Sequence, residues 1–201
     1  MYNILVLTRE NVASSMNAKM STSMRGYDLC IFPLKNPGCY KNIWSKLDKI
    51  HSISKDILKA AVNEGLDDLA KAIIINPAID ENFFKKKIKS SIQIHKKKKI
   101  KFLTVARLHW KKGLEDTLYA MSILKKNKIH FDYTIVGEGV EIERLVYLRN
   151  QLNLNREVIF AGAKDHNDIR YYYDEADVYI QYSIQEGFSN AVIEAQSMEL
   201  L

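Results

Sequence analysis

Glu186 and Glu194 stand eight positions apart, separated by Gly187-Phe188-Ser189-Asn190-Ala191-Val192-Ile193. The stretch between them is small and polar at its start and reads as the opening of a helix. The run before it, Ala176-Asp177-Val178-Tyr179-Ile180-Gln181, reads as a buried strand with a mixed end. This order predicts a carboxylate, several backbone N–H groups and a second carboxylate around one pocket. Carboxylates accept hydrogen bonds from hydroxyls, and the N–H groups of a helix start hold anions. The pocket therefore suits a ligand with both phosphate and sugar hydroxyls. A second set follows a strand ending at Val105, in Ala106-Arg107-Leu108-His109-Trp110-Lys111-Lys112-Gly113. Arg107 and Lys112 place two cations at a strand-to-helix turn, which Gly113 lets the backbone make tightly. Arginine grips phosphate with two parallel hydrogen bonds, and lysine adds a point charge. Gly137 and Gly139 form a weaker third feature, since a Gly-x-Gly after a strand is often only a tight turn.

Taken singly, each of these residues also has an ordinary reading. Arg107 and Lys112 read more simply as exposed basic groups, Glu194 as a solvated helix position and Glu186 as a loop carboxylate. His51, His109 and His166 are scattered in sequence and read as structural or exposed. Tyr171, Tyr172 and Tyr173 read as packing on a helix and its flank. Arg25-Gly26-Tyr27-Asp28 reads as a polar loop, facing a cleft or closed by its own salt bridge.

The elements that must position these groups alternate in type. Strands are predicted at 100–105, 131–136, 158–160 and 177–182, and helices at 114–124, 141–152, 168–173 and 190–200. Alternating strands and helices imply a parallel sheet with right-handed crossovers, and ligands at the carboxyl ends of its strands. The first half is less regular. Strands are predicted at 4–7, 19–23, 49–53 and 72–75. A helix is predicted over 54–63, with Ser54 as N-cap and Gly65 as stop signal.

Composition narrows the class. The 201 residues are 47% hydrophobic and 27% charged, as in a soluble globular protein with one large or two small domains. No apolar run approaches the roughly 20 residues that span a bilayer. Met1–Leu7 lacks the basic flank and cleavage site of a signal peptide. Cys30 and Cys39 have no metal-ligand partners at the usual spacing and read as two free thiols in a reducing compartment. The net charge is +6, and the stretch 85–99 carries eight lysines and no acid. It reads as a patch for anionic membrane or phosphate-rich partners, or as a solvated connection. No aromatic residue is interleaved there, so a stacking platform for nucleic acid is not expected.

In their order along the chain, these motifs resemble glycosyltransferases of the GT-B fold and family 4 type. The matching pieces in residues 100–199 are Ala106-Arg107-Leu108 with Lys112-Gly113-Leu114, Ile135-Val136-Gly137-Glu138-Gly139, and Val158-Ile159-Phe160-Ala161-Gly162. Tyr173 with Ala176-Asp177-Val178, then Ser183, then Glu186 to Ala195 complete the series. Arg25-Gly26-Tyr27-Asp28, Lys49 to Ser54 and Ile75 to Asp80 followed by Phe84 resemble the end of that family's first domain.

The resemblance implies an α/β protein with Rossmann-like parallel sheets and helices on both faces. Residues 1–84 would be an incomplete N-terminal, acceptor-side domain and 85–99 a basic linker. Residues 100–201 would be most of a C-terminal donor-binding domain. It implies a retaining, metal-independent transfer of a hexosyl-type sugar from a nucleotide-sugar to a saccharide or lipid-linked acceptor. The expected setting is cell-surface polysaccharide biosynthesis, in the cytoplasm or against the inner face of the membrane. The nucleotide-sugar is substrate, and no cofactor is expected. Arg107 and Lys112 would hold the diphosphate and, with Glu186 at the sugar, form the catalytic set. Gly137, Gly187, Phe188, Ser189, Asn190, Ala191 and Glu194 would complete the donor site, Glu194 at the ribose and the loop Gly162 to His166 near the base. The family pattern begins earlier and continues past Leu201, so the chain is expected to be truncated at both ends. A non-catalytic module that binds a nucleotide-sugar or diphosphate is the alternative, and a polyanion-binding protein using Lys85 to Lys99 is a third reading.

Overall fold

The computed structural model describes residues 7, 9, 11–80, 82–85 and 99–201. The strand expected at 4–7 and most of the lysine-rich stretch lie outside the described residues. The chain divides into two units. The first comprises residues 1–78 with 186–188, and the second residues 79–185 with 189–201. The sequence reading set the first boundary at residue 84. Phe84 instead lies in the core of the second unit, beside Tyr173, Ala195 and Met198.

The first unit is built on three parallel strands, β1 (Ser21–Met24), β2 (Lys49–Ser52) and β3 (Ala72–Ile74), in the order β1-β2-β3. Met24, Ile50, Ile53, Ile57 and Ala61 are buried together with Tyr40, Ile43, Trp44 and Leu47. Buried polar ends find partners. The Tyr40 hydroxyl donates to the Asp28 carbonyl at 2.6 Å, and Trp44 Nε1 donates to the Glu64 carbonyl at 3.0 Å. Arg25-Gly26-Tyr27-Asp28 is not a loop, as the sequence reading had it, but opens helix α1 (Gly26–Cys30). The Arg25 N–H donates to the Asp28 carboxylate at 3.1 Å and closes the helix start. Burial raises the Asp28 pKa, opposed by that hydrogen bond and by the Arg25 charge. Helix α2 (Lys55–Asn63) begins as expected, with Ser54 Oγ accepting from the Ile57 N–H at 3.2 Å.

The second unit is a four-stranded parallel sheet of β4 (Ile100–Val105), β5 (Phe131–Val136), β6 (Val158–Gly162) and β7 (Val178–Tyr179). Its helices are α3 (Leu114–Lys126), α4 (Ile142–Gln151), α5 (His166–Glu175) and α6 (Asn190–Ser197). Residues along each strand alternate between the two faces of the sheet. Phe102, Phe131, Tyr133 and Ile135 pack with Leu118 and Met121 of α3 and Leu145 of α4. Leu103, Val105 and Val136 pack instead with Tyr173 of α5 and Ala195 of α6. Helices cover both faces, as a parallel sheet requires.

The strand order is β6-β5-β4-β7. The chain runs outward from β4 through β5 to β6, then returns to the other side of β4. The winding reverses between β4 and β7, and the helices that follow those two strands, α3 and α6, pack on opposite faces of the sheet. That is where open α/β sheets leave a crevice at their carboxyl ends. β7 is shorter than the predicted 177–182. The Ile180 N–H still reaches the Leu103 carbonyl at 2.8 Å, but the Ile180 carbonyl accepts from Thr104 Oγ1 at 2.6 Å. A side chain of β4 takes the ladder position and releases the chain into a loop. α6 also ends early, at Ser197, where Glu199 adopts a left-handed φ of 54°. Among the described residues, no helix is long and apolar enough to cross a membrane.

Candidate functional site

The residues singled out by the sequence divide between the units. Arg107, Lys112, Gly137, Ser189, Asn190, Ala191 and Glu194 belong to the second. Glu186, Gly187 and Phe188 belong to the first. There Phe188 packs against the apolar core, and a Cβ on Gly187 would stand 3.1 Å from Gly26 backbone atoms.

In the second unit, the loops after β4 and β7 flank the reversal of the winding, and they are joined. The Ile184 N–H donates to the Lys111 carbonyl at 2.8 Å. Gly113 has a left-handed φ of 62°, and a Cβ there would lie 1.9 Å from the Tyr182 carbonyl oxygen. Only glycine fits this crossing of two backbones. Arg107 and Lys112 are thus carried on a loop pinned at both ends. Arg107 is exposed and Lys112 half-buried. Between them, burial pushes the His109 pKa below its usual range. Lys111, Arg107 and Lys112 add to that lowering, and Glu141 opposes it. An imidazole held neutral among three cations marks a locally positive patch.

Neighbouring loops brace this turn. The Leu108 N–H donates to the Glu138 carbonyl at 2.9 Å, and the Gly137 N–H donates to the Gly162 carbonyl at 2.9 Å. A Cβ on Gly137, whose φ is 136°, would lie 2.0 Å from the Ala106 carbonyl oxygen. The close approach of two loops accounts for this glycine without any ligand.

On the β7 side, the Ser189 hydroxyl donates to Gln181 Oε1 at 2.8 Å and makes no side-chain cap on α6. The helix start therefore presents N–H groups that its own N-cap residue does not cover. Glu194, half-buried in α6, accepts from the Tyr173 hydroxyl at 2.7 Å. The Ala191 carbonyl is 3.2 Å from the same hydroxyl. Tyr173 is 1% exposed, and burial raises its pKa far above the usual tyrosine value. It is a neutral donor at any ordinary pH. The Tyr179 ring lies 6.0 Å from that of Tyr173, and its hydroxyl is 3.2 Å from the Val105 carbonyl and 3.1 Å from Gln181 Oε1. These contacts run from the end of β4 to α6. Sequence reasoning took Tyr173 as packing alone and did not single out Gln181 or Tyr179. The Tyr173–Glu194 pair spans 21 residues, and nothing local announces it.

The arrangement pairs a positive strand-to-helix turn with an open helix start and a half-buried carboxylate held by one donor. It can bind an anion at the first two and hydroxyl groups at the third. Among the described residues, no three His, Cys, Asp or Glu side chains gather where a metal ion could be held.

The chain belongs to the glycosyl transferases group 1 family, whose model matches residues 85–201. It is 35% identical over 107 residues to the amylovoran biosynthesis glycosyltransferase AmsK of Erwinia amylovora, covering 50% of this chain and 26% of that protein. It is 32% identical over 105 residues to the putative colanic acid biosynthesis glycosyltransferase WcaL of Escherichia coli, covering 49% and 26%. The chain thus spans about a quarter of the length of these curated relatives. Anabaena HepE, solved in complex with UDP, superposes with a TM-score of 0.78 at 15% identity, over 97% of this chain and 55% of that one. The lipopolysaccharide outer core galactosyltransferase WaaB superposes with a TM-score of 0.67 at 15% identity, over 98% and 52%. At such identities these structures speak for the fold, which is the GT-B glycosyltransferase arrangement of parallel sheets and helices expected from the sequence.

Proposed function

We propose that this chain binds the donor for a retaining glycosyltransferase that moves a hexosyl-type sugar from a nucleotide-sugar to a saccharide or lipid-linked acceptor. The observation that carries the reading is the hydrogen bond from the Ile184 N–H to the Lys111 carbonyl. It ties the loop bearing Arg107 and Lys112 to the loop that leads into α6, across the point where the winding reverses. A nucleoside diphosphate matches that pairing: anionic oxygens for the cations and the helix start, ribose hydroxyls for Glu194. The likeness to the amylovoran and colanic acid biosynthesis glycosyltransferases supports a place in cell-surface polysaccharide biosynthesis.

In the reaction so proposed, the bond between the sugar's anomeric carbon and the phosphate oxygen breaks. A new bond forms to the oxygen of an acceptor hydroxyl, whose proton passes to the departing diphosphate. The electron pair of the broken bond leaves on the diphosphate, where Arg107 and Lys112 neutralise the developing charge without a bound metal. Ser189, Asn190 and Ala191 supply backbone N–H groups to phosphate and sugar, and a part for Gly137 in the donor site rests on the family resemblance. The roles of Glu186, Gly187 and Phe188 at the sugar rest on the family resemblance. The lysines from Lys85 to Lys99 would hold the protein against anionic membrane, where lipid-linked acceptors reside.

The test is turnover of radiolabelled UDP-glucose and GDP-mannose by the 201-residue chain. Release or transfer of labelled sugar, lost in the Arg107→Ala/Lys112→Ala double variant, is expected. Saturable binding without turnover reassigns the chain as a non-catalytic donor-binding module. The absence of both binding and turnover overturns the reading.

A further inference from the structure

The Tyr173 hydroxyl is buried between two helices and reaches two acceptors, Glu194 Oε2 at 2.7 Å and the Ala191 carbonyl at 3.2 Å. A phenol has one proton to give. The shorter contact ends on a carboxylate, and hydrogen bonds to charged acceptors are the shorter and stronger kind. The proton therefore goes to Glu194, and Ala191 is a bystander.

The ring that carries this hydroxyl cannot easily turn away. It meets Phe84 edge to face, with centroids 5.7 Å apart, and lies 6.0 Å from Tyr179. Phe84 in turn stands edge-on to His166, 5.4 Å away, and its carbonyl accepts from Ser197 Oγ at 2.7 Å. Ser197 sits on the same helix as Glu194. One aromatic cluster thus fixes both the donor and the backbone of its acceptor.

A glutamate on a partly exposed helix has several rotamers open to it, and ordering such a side chain costs conformational entropy. A carboxylate already held by a rigid donor has lost that freedom before a ligand arrives. One of its oxygens is committed, and the remaining acceptor sites are left for hydroxyl groups. We propose that Tyr173 is a positioning residue for ribose recognition: its hydroxyl fixes the Glu194 carboxylate in the conformation that accepts the ribose hydroxyls of the donor. The proposal rests on the donor-binding reading above and deepens it. Tyr173 acts on the ligand only through Glu194.

The experiment separates the two levels. Dissociation constants are measured by calorimetry for UDP and GDP and for their 2′,3′-dideoxy counterparts, on the full chain and on Tyr173→Phe, Glu194→Gln and the double variant. The unaltered chain prefers the ribose form of at least one nucleotide by about tenfold or more, the scale of a hydrogen bond to a charged group. Tyr173→Phe keeps the ring and the core but loses most of that preference, and it adds no further loss in the Glu194→Gln background. A merely structural tyrosine would weaken both forms alike and leave their ratio unchanged, which overturns the proposal. So does a Tyr173→Phe chain that melts at the same temperature and discriminates as before. If the unaltered chain binds these nucleotides with no ribose preference, the assignment of Glu194 fails and the role of Tyr173 with it. If it binds none of them, the donor-binding reading itself is at fault.

Discussion

In the proposed donor site, Arg107 and Lys112 would divide the work of holding a diphosphate in different ways. The guanidinium offers a planar fork of donors, and the ammonium a compact charge. Neither replaces the other, so Arg107→Lys is expected to weaken nucleoside-diphosphate binding almost as much as Arg107→Ala. Each single alanine variant should cost about tenfold to a hundredfold in affinity, read by calorimetry, as expected for a lost charge-assisted hydrogen bond. His109 supplies a pH signature for the same turn. Its imidazole binds a proton less tightly in the fold than the ordinary value of 6.5 in the unfolded chain. Between the two values the unfolded state holds more protons, so stability rises with pH and is lost as the solution is acidified through that window. Thermal melts between about pH 5 and about pH 7.5 should show this slope. The His109→Gln variant should flatten it.

At the scale of elements, the loops after β4 and β7 depend on glycine where their backbones cross. Gly113→Ala would force a Cβ to 1.9 Å from the Tyr182 carbonyl at a left-handed φ. The expected loss is about 2 kcal/mol or more, seen as a lower melting temperature of the second unit. Ser54→Ala removes the cap of α2 in the first unit and should cost about 1 kcal/mol. Amide exchange over Lys55–Asn63 would report it. What the sequence disclosed follows the same division between local and distant causes. The bounds of β4 and β5 and the Ser54 cap were legible because apolar alternation and a capping serine act within a few residues. The end of β7 was not, because Thr104, 76 positions from Ile180, takes the carbonyl that would extend the ladder. α1 was read as a loop because five residues are too few to show a helical period. The cations and the paired glutamates were singled out from residue type and order. The tyrosine that holds Glu194 was not, since burial and a contact across the core decide its part.

For the molecule as a whole, the family match at residues 85–201 falls almost entirely on the second unit. The likeness to solved GT-B structures extends over both. The central claim therefore concerns what the second unit holds. Its most direct test is calorimetric titration of the 201-residue chain with UDP, GDP, ADP and dTDP and with their sugar conjugates. Saturable one-to-one binding of at least one of these is expected, weakened about tenfold or more by Arg107→Ala and by Glu194→Ala alike. Absence of saturable binding across the panel, or affinity unchanged in both variants, would contradict it.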